Sequence, residues 1–207
     1  IDRFLATTEA YAIKAILLFN KADVNDEATQ QIVKNLSALY EGIGYQCLSI
    51  SAKTGENIEA VKTLMTGKSN MFAGHSGVGK STLVNTIEPG LNIKTKEISD
   101  QHNQGQHTTT FAEMFDLSFE AQIIDTPGIK GFGVVDMEPA EIDNYFPELF
   151  ILKQSCKFNN CLHVHEPKCA VKLALENNQI AASRYKSYTQ IIEGDEEHYR
   201  TDNYEPK

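Results

Sequence analysis

Gly74-His75-Ser76-Gly77-Val78-Gly79-Lys80-Ser81 decides the reading of this chain. The stretch fits G-x-x-x-x-G-K-S, with apolar Met71-Phe72-Ala73 ahead of it and Thr82-Leu83-Val84-Asn85 behind, the setting of a strand that turns into a helix. Glycines let the backbone wrap a phosphate closely, so that several N–H groups and a helix N-terminus point at the anion. Lys80 is then expected to reach the β- and γ-phosphates, and the Ser81 hydroxyl to ligate Mg²⁺, with Thr82 next in the same helix turn. A plain glycine turn between strand and helix would not require Lys and Ser in register with both flanks. The stretch therefore reads as a nucleotide site in an α/β fold.

The totals set bounds on the rest. With 207 residues, 41% of them hydrophobic, the chain can bury one α/β core and carry a small attachment. No apolar run approaches the roughly 20 residues needed to span a bilayer, and no signal-peptide pattern opens the chain. The expectation is a cytoplasmic monomer with no membrane partner. Because the chain opens on Ile1 and not on Met, it is expected to be a fragment or a processed form. A formal net charge of −9 argues against nonspecific nucleic-acid binding by the whole surface.

Upstream of the glycine loop, residues 3–11 have a helical pattern and Ile13 to Phe19 form an apolar run, the mark of a strand buried on both faces. At its end stands Asn20-Lys21-Ala22-Asp23, where ligands of open parallel sheets bind. Asn-Lys-x-Asp resembles the guanine-recognition motif of GTPases. The Asp23 carboxylate can accept from both N1–H and N2–H₂ of guanine, a pair that adenine does not present, and an unpaired carboxylate would penalise the wrong base. A helix from about Asp26 to Ile43, with Ile32, Val33, Leu36, Leu39, Tyr40 and Ile43 at helical spacing, is expected to cover the sheet. The next strand, Tyr45 to Ile50, carries Cys47 as a core residue and ends in Ser51-Ala52-Lys53. This triplet resembles the second guanine motif, in which the Ala52 N–H meets the base O6 and Lys53 packs over the ring.

A helix at 57–66 leads into the strand before the glycine loop, and helix 80–87 stops at Glu88-Pro89-Gly90. Leu91 to Gln106 is polar and aperiodic, as expected of a mobile loop. It closes with His107-Thr108-Thr109-Thr110, readable as an ordinary β-branched strand entry or as a switch whose Thr109 binds Mg²⁺. Phe111, Phe115, Leu117 and Phe119 alternate as in a half-buried antiparallel strand that turns near Ser118. The return strand, Ala121 to Ile124, delivers Asp125-Thr126-Pro127-Gly128, the Asp-x-x-Gly pattern in which Asp125 holds Mg²⁺ and the Gly128 N–H meets the γ-phosphate.

The C-terminal part has a different character. Pro139, then Ile142, Tyr145 and Phe146 ahead of Pro147, predict a short helix starting at Pro139. Cys156-x₄-Cys161-x-His163-x₅-Cys169 offers three thiolates and an imidazole, a set that Zn²⁺ accepts tetrahedrally, with His165 as an alternative fourth ligand. A region this short needs such a staple, and four protein ligands imply a structural metal. Helices are expected at about 168–177 and 179–194, the second packing through Tyr185, Tyr188 and Ile192. Lys153, Lys157, Lys168, Lys172, Arg184 and Lys186 are candidate RNA contacts, although a scattered basic set more often marks a solvated face.

In ordinary small GTPases the phosphate loop comes first and Asn-Lys-x-Asp and Ser-Ala-Lys last. Here the last two come first, which is a circular permutation, and the segment after Gly128 leads into the C-terminal region. The motif order, together with Gly105-Gln106-His107-Thr108-Thr109-Thr110 and the cysteine pattern, resembles the RsgA (YjeQ) family of circularly permuted GTPases over residues 1–194. The resemblance implies an α/β, circularly permuted P-loop GTPase domain at 1–138 and a small, mainly helical zinc-binding domain at 139–207. It favours His163 over His165, because the family pattern Cys…Cys-x-His…Glu-Pro-x-Cys also matches Glu166-Pro167. It further implies GTP/GDP, Mg²⁺ and Zn²⁺ as cofactors, the small ribosomal subunit and its rRNA as partners, and an N-terminal OB-fold domain that does not lie after Ile1.

Where signalling GTPases place a water-orienting Gln after Asp-x-x-Gly, this chain has Ile129. An alkyl chain cannot orient water. His107, which the family also carries, is the expected substitute, with His102 and His75 as weaker alternatives. The leading expectation is a slow GTP hydrolase acting in small-subunit maturation. A GTP-dependent scaffold with negligible hydrolysis and an ATP-dependent enzyme are the alternatives.

Overall fold

The structure is a computed structural model, and it describes residues 1–91, 113–125 and 137–194. Its elements run α1 (Asp2–Ala10), β1 (Ile16–Phe19), α2 (Glu27–Ile43), β2 (Gln46–Ser49), α3 (Ile58–Met65), β3 (Ser69–Asn70), α4 (Lys80–Ile87), β4 (Glu113–Asp116), β5 (Gln122–Asp125), α5 (Pro147–Lys153), α6 (Ala170–Glu176) and α7 (Ala182–Ile192). Among the described residues no helix is long and apolar enough to cross a membrane. Two compact units emerge, Ile16–Glu41 with Tyr45–Lys130, and Ile1–Ala15 with Gly42–Gly44 and Gly131–Lys207. The motif-based division at 138/139 assigns residues 1–15 to the first domain, whereas α1 clusters with the C-terminal helices.

In the first unit β1 pairs in parallel with β2, Ile16 opposite Gln46 and Phe19 opposite Ser49. The crossover between them is α2, whose entry is fixed by Asp26, since its Oδ1 accepts the Thr29 N–H at 2.8 Å. A second sheet has the order β3-β5-β4, with β3 and β5 parallel and β5 and β4 antiparallel. Its hairpin closes through the Leu117 N–H on the Ala121 carbonyl at 2.8 Å, around a turn at 118–120. The turn is fastened to the end of α4, because Glu88 Oε2 accepts from both the N–H and the hydroxyl of Ser118, at 2.9 and 2.8 Å. Helical spacing puts Ile58, Val61 and Met65 on one face of α3, and Leu83, Val84 and Ile87 on one face of α4. All six are buried with Ile50, Ala52 and Ile123. Each such side chain contributes about 1.5–3 kcal/mol on burial.

The second unit is helical. Ala6 of α1 and Leu149 of α5 share one core with Val171, Ala174 and Tyr188 from α6 and α7, and with Ile142 and Phe146 at a 3₁₀ turn, Ile142–Tyr145. Across it lies the Arg184 guanidinium, 1% exposed, which donates to Asp2 at 2.9 Å and to Glu148 at 2.6 and 3.0 Å, and sits 4.6 Å from the Phe146 ring centre. Burial alone would lower the Arg184 pKa, but the two carboxylates prevail and raise it. One buried cation thus ties α7 to α1 and α5.

Several expectations change. The helix predicted from Pro139 begins instead at Pro147, which occupies its first turn, while 142–145 form the 3₁₀ turn. Proline suits both places, and the apolar residues that decide burial, Leu149 and Phe146, belong to the later one. The strand before the glycine loop is Ser69–Asn70, and Met71-Phe72-Ala73 have no regular structure. β1 is half-buried along its length, not buried on both faces, and Cys47 is likewise only half-buried. In α2 only Tyr40 is buried, and Ile32 is exposed, so the apolar stripe covers less of the sheet than its spacing suggested.

Candidate nucleotide-binding and metal sites

Three of the motifs, Asn20–Asp23, Ser51–Lys53 and the glycine loop, meet beyond the C-terminal ends of β1 and β2. β1 ends at Phe19, and the chain then turns through Lys21 with φ of 73° into a 3₁₀ turn, Ala22–Val24, that carries Asp23. β2 ends at Ser49, and the Ile50 carbonyl accepts the Ala22 N–H at 3.0 Å, so the two candidate guanine motifs are joined by backbone. Ser51 Oγ donates to Asp23 Oδ1 at 2.6 Å and accepts the Thr54 N–H at 3.1 Å, which fixes one carboxylate oxygen of an otherwise exposed Asp23.

Asn20 connects three loops. Its Nδ2 donates to the Val78 carbonyl of the glycine loop at 2.9 Å, and its Oδ1 accepts the Ala52 N–H at 2.9 Å. The Ala52 N–H, expected to face a base oxygen, is thus held by Asn20 here. Close approach explains a glycine: Gly79 has φ of +98°, and a Cβ there would lie 2.4 Å from Asn20 Nδ2. Lys80 Nζ reaches back over the loop to the carbonyls of Gly74 and His75, at 2.5 and 3.0 Å. Residues Gly74 to Val78 are exposed, Ser81 is half-buried and Thr82 is exposed at the start of α4. Thr86 Oγ1 donates to the Ala52 carbonyl at 2.7 Å, so α4 braces the Ser51-Ala52-Lys53 turn from below while Lys53 stays exposed.

Asp125 ends β5, opposite Glu113 in the register. His107, Thr109, Gly128, Ile129 and the alternative His102 lie outside the described residues.

In the helical unit one ligand atom from each of Cys156, Cys161, His163 and Cys169 lies within 4.8 Å of the others. Cys156 Sγ is 3.9 Å from Cys169 Sγ, and His163 Nδ1 is 3.6 and 3.3 Å from those two sulfurs. A tetrahedral zinc with ordinary bond lengths separates its sulfurs by about 3.8 Å, and sulfur from nitrogen by about 3.6 Å. The donor set fits. His163 is wholly buried and belongs to this cluster, whereas His165 is exposed. Burial pushes the Cys161 thiol up to about 12 and raises Cys169 too; Cys156 adds to both shifts, while the hydrogen bond from Cys161 works against the rise at Cys169. Backbone N–H groups already aim at two sulfurs, Ala170 at Cys156 and Lys172 at Cys169, 3.3 and 3.4 Å away.

The loop that carries the ligands is held by residues around it. Glu166 accepts the N–H groups of Leu162, Val164 and His165, and although burial opposes it, these bonds keep its carboxyl below the usual range. The hydroxyls of Tyr185 and Tyr188 donate to the carbonyls of His163 and Leu162, at 2.6 and 2.9 Å. The tyrosine spacing of α7 therefore marks packing, as expected. Sequence reasoning missed Asp143, buried on the 3₁₀ turn, whose Oδ2 lies 3.2 Å from His163 Nε2. Nothing in the cysteine spacing points to a carboxylate so far upstream. Arg184 is removed from the basic RNA-contact set by its burial and its two carboxylate partners. Lys157, Lys168 and Lys186 remain exposed.

Comparison with known proteins agrees with this architecture. The model of the RsgA GTPase family matches residues 1–135. The chain is 63% identical over 205 residues to the small ribosomal subunit biogenesis GTPase RsgA of Christiangramia forsetii, covering 99% of this chain and 65% of that protein. It is 64% identical over 204 residues to the protein of the same name from Flavobacterium johnsoniae, of which it covers 63%. It therefore spans a little under two thirds of these relatives. Among solved structures it is similar to YjeQ from Thermotoga maritima, with TM-score 0.79 and 37% identity over 93% of this chain and 64% of that one. It is also similar to YloQ, described as a circularly permuted GTPase, with TM-score 0.75 and 30% identity, covering 100% of this chain and 63% of that one.

Proposed function

The chain belongs to the RsgA GTPase family, and on that premise we propose that it binds GTP and GDP with Mg²⁺, hydrolyses GTP slowly unless stimulated, and acts in maturation of the small ribosomal subunit. The observation that carries the nucleotide reading is Asn20, which holds the glycine loop and the Ser51-Ala52-Lys53 turn beside Asp23. Asn20, Lys21, Asp23, Ser51, Ala52 and Lys53 receive the guanine. Gly74 to Thr82 receive the phosphates, with Lys80 neutralising charge as it develops on the transferred group. Ser81, Thr109 and Asp125 hold Mg²⁺, and Gly128 meets the γ-phosphate.

The proposed water-positioning residue is His107, since Ile129 has no polar atom to offer. Cys156, Cys161, His163 and Cys169 hold a structural zinc in the helical part, residues 139–207, and residues 1–138 carry the nucleotide chemistry. The small ribosomal subunit and its rRNA are the proposed partners, and a cytoplasmic monomer the proposed state. The basis for the partner is the name borne by the relatives.

The test is single-turnover GTP hydrolysis with and without purified small ribosomal subunits. Stimulated turnover of GTP supports the reading, and GTP-dependent binding to subunits without any turnover would replace it with a scaffold. His107→Ala is expected to lower stimulated turnover about 10²–10⁴-fold with little change in GTP affinity. Unchanged turnover would remove His107 from the mechanism.

A further inference from the structure

The imidazole of His163 has two nitrogens in two different settings. Nδ1 faces sulfur, 3.3 Å from Cys169 Sγ and 3.6 Å from Cys156 Sγ. Nε2 faces Asp143 Oδ2 at 3.2 Å, and the ring between them is 0% exposed. An ionised carboxylate only accepts, so the proton of a neutral imidazole sits on Nε2 and the Nδ1 lone pair is left for a cation. The His163 carbonyl is fixed separately by the Tyr185 hydroxyl, so main chain and ring are anchored at different points.

Three thiolates and a neutral imidazole around a divalent cation leave one net negative charge, and a buried carboxylate beside them adds another. Asp143 Oδ1 lies 3.0 Å from Lys153 Nζ, which also donates to Asn144 Oδ1, so a cation accompanies the carboxylate. A carboxylate placed at the back of a ligating histidine, with its own counter-charge, has an identifiable purpose in a metal site.

We propose that Asp143 is the positioning residue of the metal site: by accepting the Nε2–H of His163 it presents Nδ1 to the metal, with Lys153 balancing its charge. The inference rests on the reading of Cys156, Cys161, His163 and Cys169 as zinc ligands. It makes the 3₁₀ turn at Ile142–Tyr145 part of the metal site, although none of that turn's residues is a ligand.

The test uses the whole 207-residue chain with Zn²⁺ as the probe, in competition with a chromophoric chelator, and nitrogen NMR of the histidine rings. Stoichiometric zinc in the wild type, bound through His163 Nδ1 with the proton on Nε2, is expected. Asp143→Ala is expected to weaken zinc about 10–100-fold, and Asp143→Asn, which keeps an acceptor oxygen, to recover part of that loss with the same ligating nitrogen. Wild-type zinc affinity in Asp143→Ala would overturn the inference while leaving the zinc site standing. Ligation through Nε2 in the wild type would overturn it too, and that measurement needs no variant to fold. A wild-type chain that binds no zinc would overturn both the ligand reading and the inference.

Discussion

The two units organise their candidate sites in opposite ways. In the nucleotide unit the candidate residues stand at strand ends, with Asp23 and Gly74 to Val78 exposed above buried Ser51 and Ala52, and are positioned by loop hydrogen bonds: Asn20 to Val78 and Ala52, Ser51 to Asp23, Lys80 to Gly74 and His75. In the helical unit the candidate ligands are drawn inward: Cys161 and Cys169 are part of the buried core, and His163 is wholly buried beside them. A site made of loop ends can be lost without loss of the fold that supports it. A site made of core residues cannot.

The largest expected effect lies on the buried side. Cys169→Ser removes a ligand and leaves a hydroxyl at a core position, and structural zinc supplies on the order of 10 kcal/mol of apparent folding free energy in small domains. Zinc content together with thermal unfolding should show a metal-free chain whose helical unit no longer melts cooperatively. Retained cooperative melting would show that this core stands without its metal. On the loop side the counterpart is Asp23→Ala, expected to reduce discrimination of GTP over ATP on the order of 10⁴-fold while thermal stability changes little, read by competition binding.

Arg184→Ala comes next. It removes the buried guanidinium that Asp2 and Glu148 share and should destabilise the helical unit by about 3–5 kcal/mol, measured by denaturant unfolding. GTP affinity measured under native conditions is the control, because Arg184 is not one of the residues proposed to receive the nucleotide. The smallest effect sharpens the loop side. In Gly79→Ala the new methyl group meets Asn20 at a backbone conformation that disfavours side chains, so GTP affinity should fall about 10–100-fold from about 1–3 kcal/mol of strain. Affinity unchanged in that variant would mean that the Asn20 contact is dispensable.

The same contrast decides what could be read from sequence. Loop motifs are legible because backbone geometry and ligand chemistry constrain residue type at fixed spacing: Gly79 and Lys80 are needed where they stand, and Asp23 follows Asn20 at a set distance. The cysteine cluster is legible for the same reason, and burial then separates His163 from His165. The supporting contacts are not, since they join residues far apart in the chain. Arg184 meets Asp2 across almost the whole sequence, and Asp143 meets His163 from a turn that has no motif of its own. Arg184 shows how misleading a charge can be when its partners are unknown, because as a basic residue it belonged with the surface lysines. Pro139 and Pro147 are equivalent as helix starts by local chemistry, and packing of Phe146 and Leu149 decided between them. The β1 run is apolar enough for a fully buried strand, yet the strand is half-buried with one edge paired to β2.

The loop ends gathered by Asn20 are the proposed guanine site. Equilibrium titration of the purified chain with GDP and with ADP, in the presence of Mg²⁺, tests it most directly. Saturable GDP binding that excess ADP does not displace is expected. Binding of ADP with affinity equal to that of GDP would contradict it.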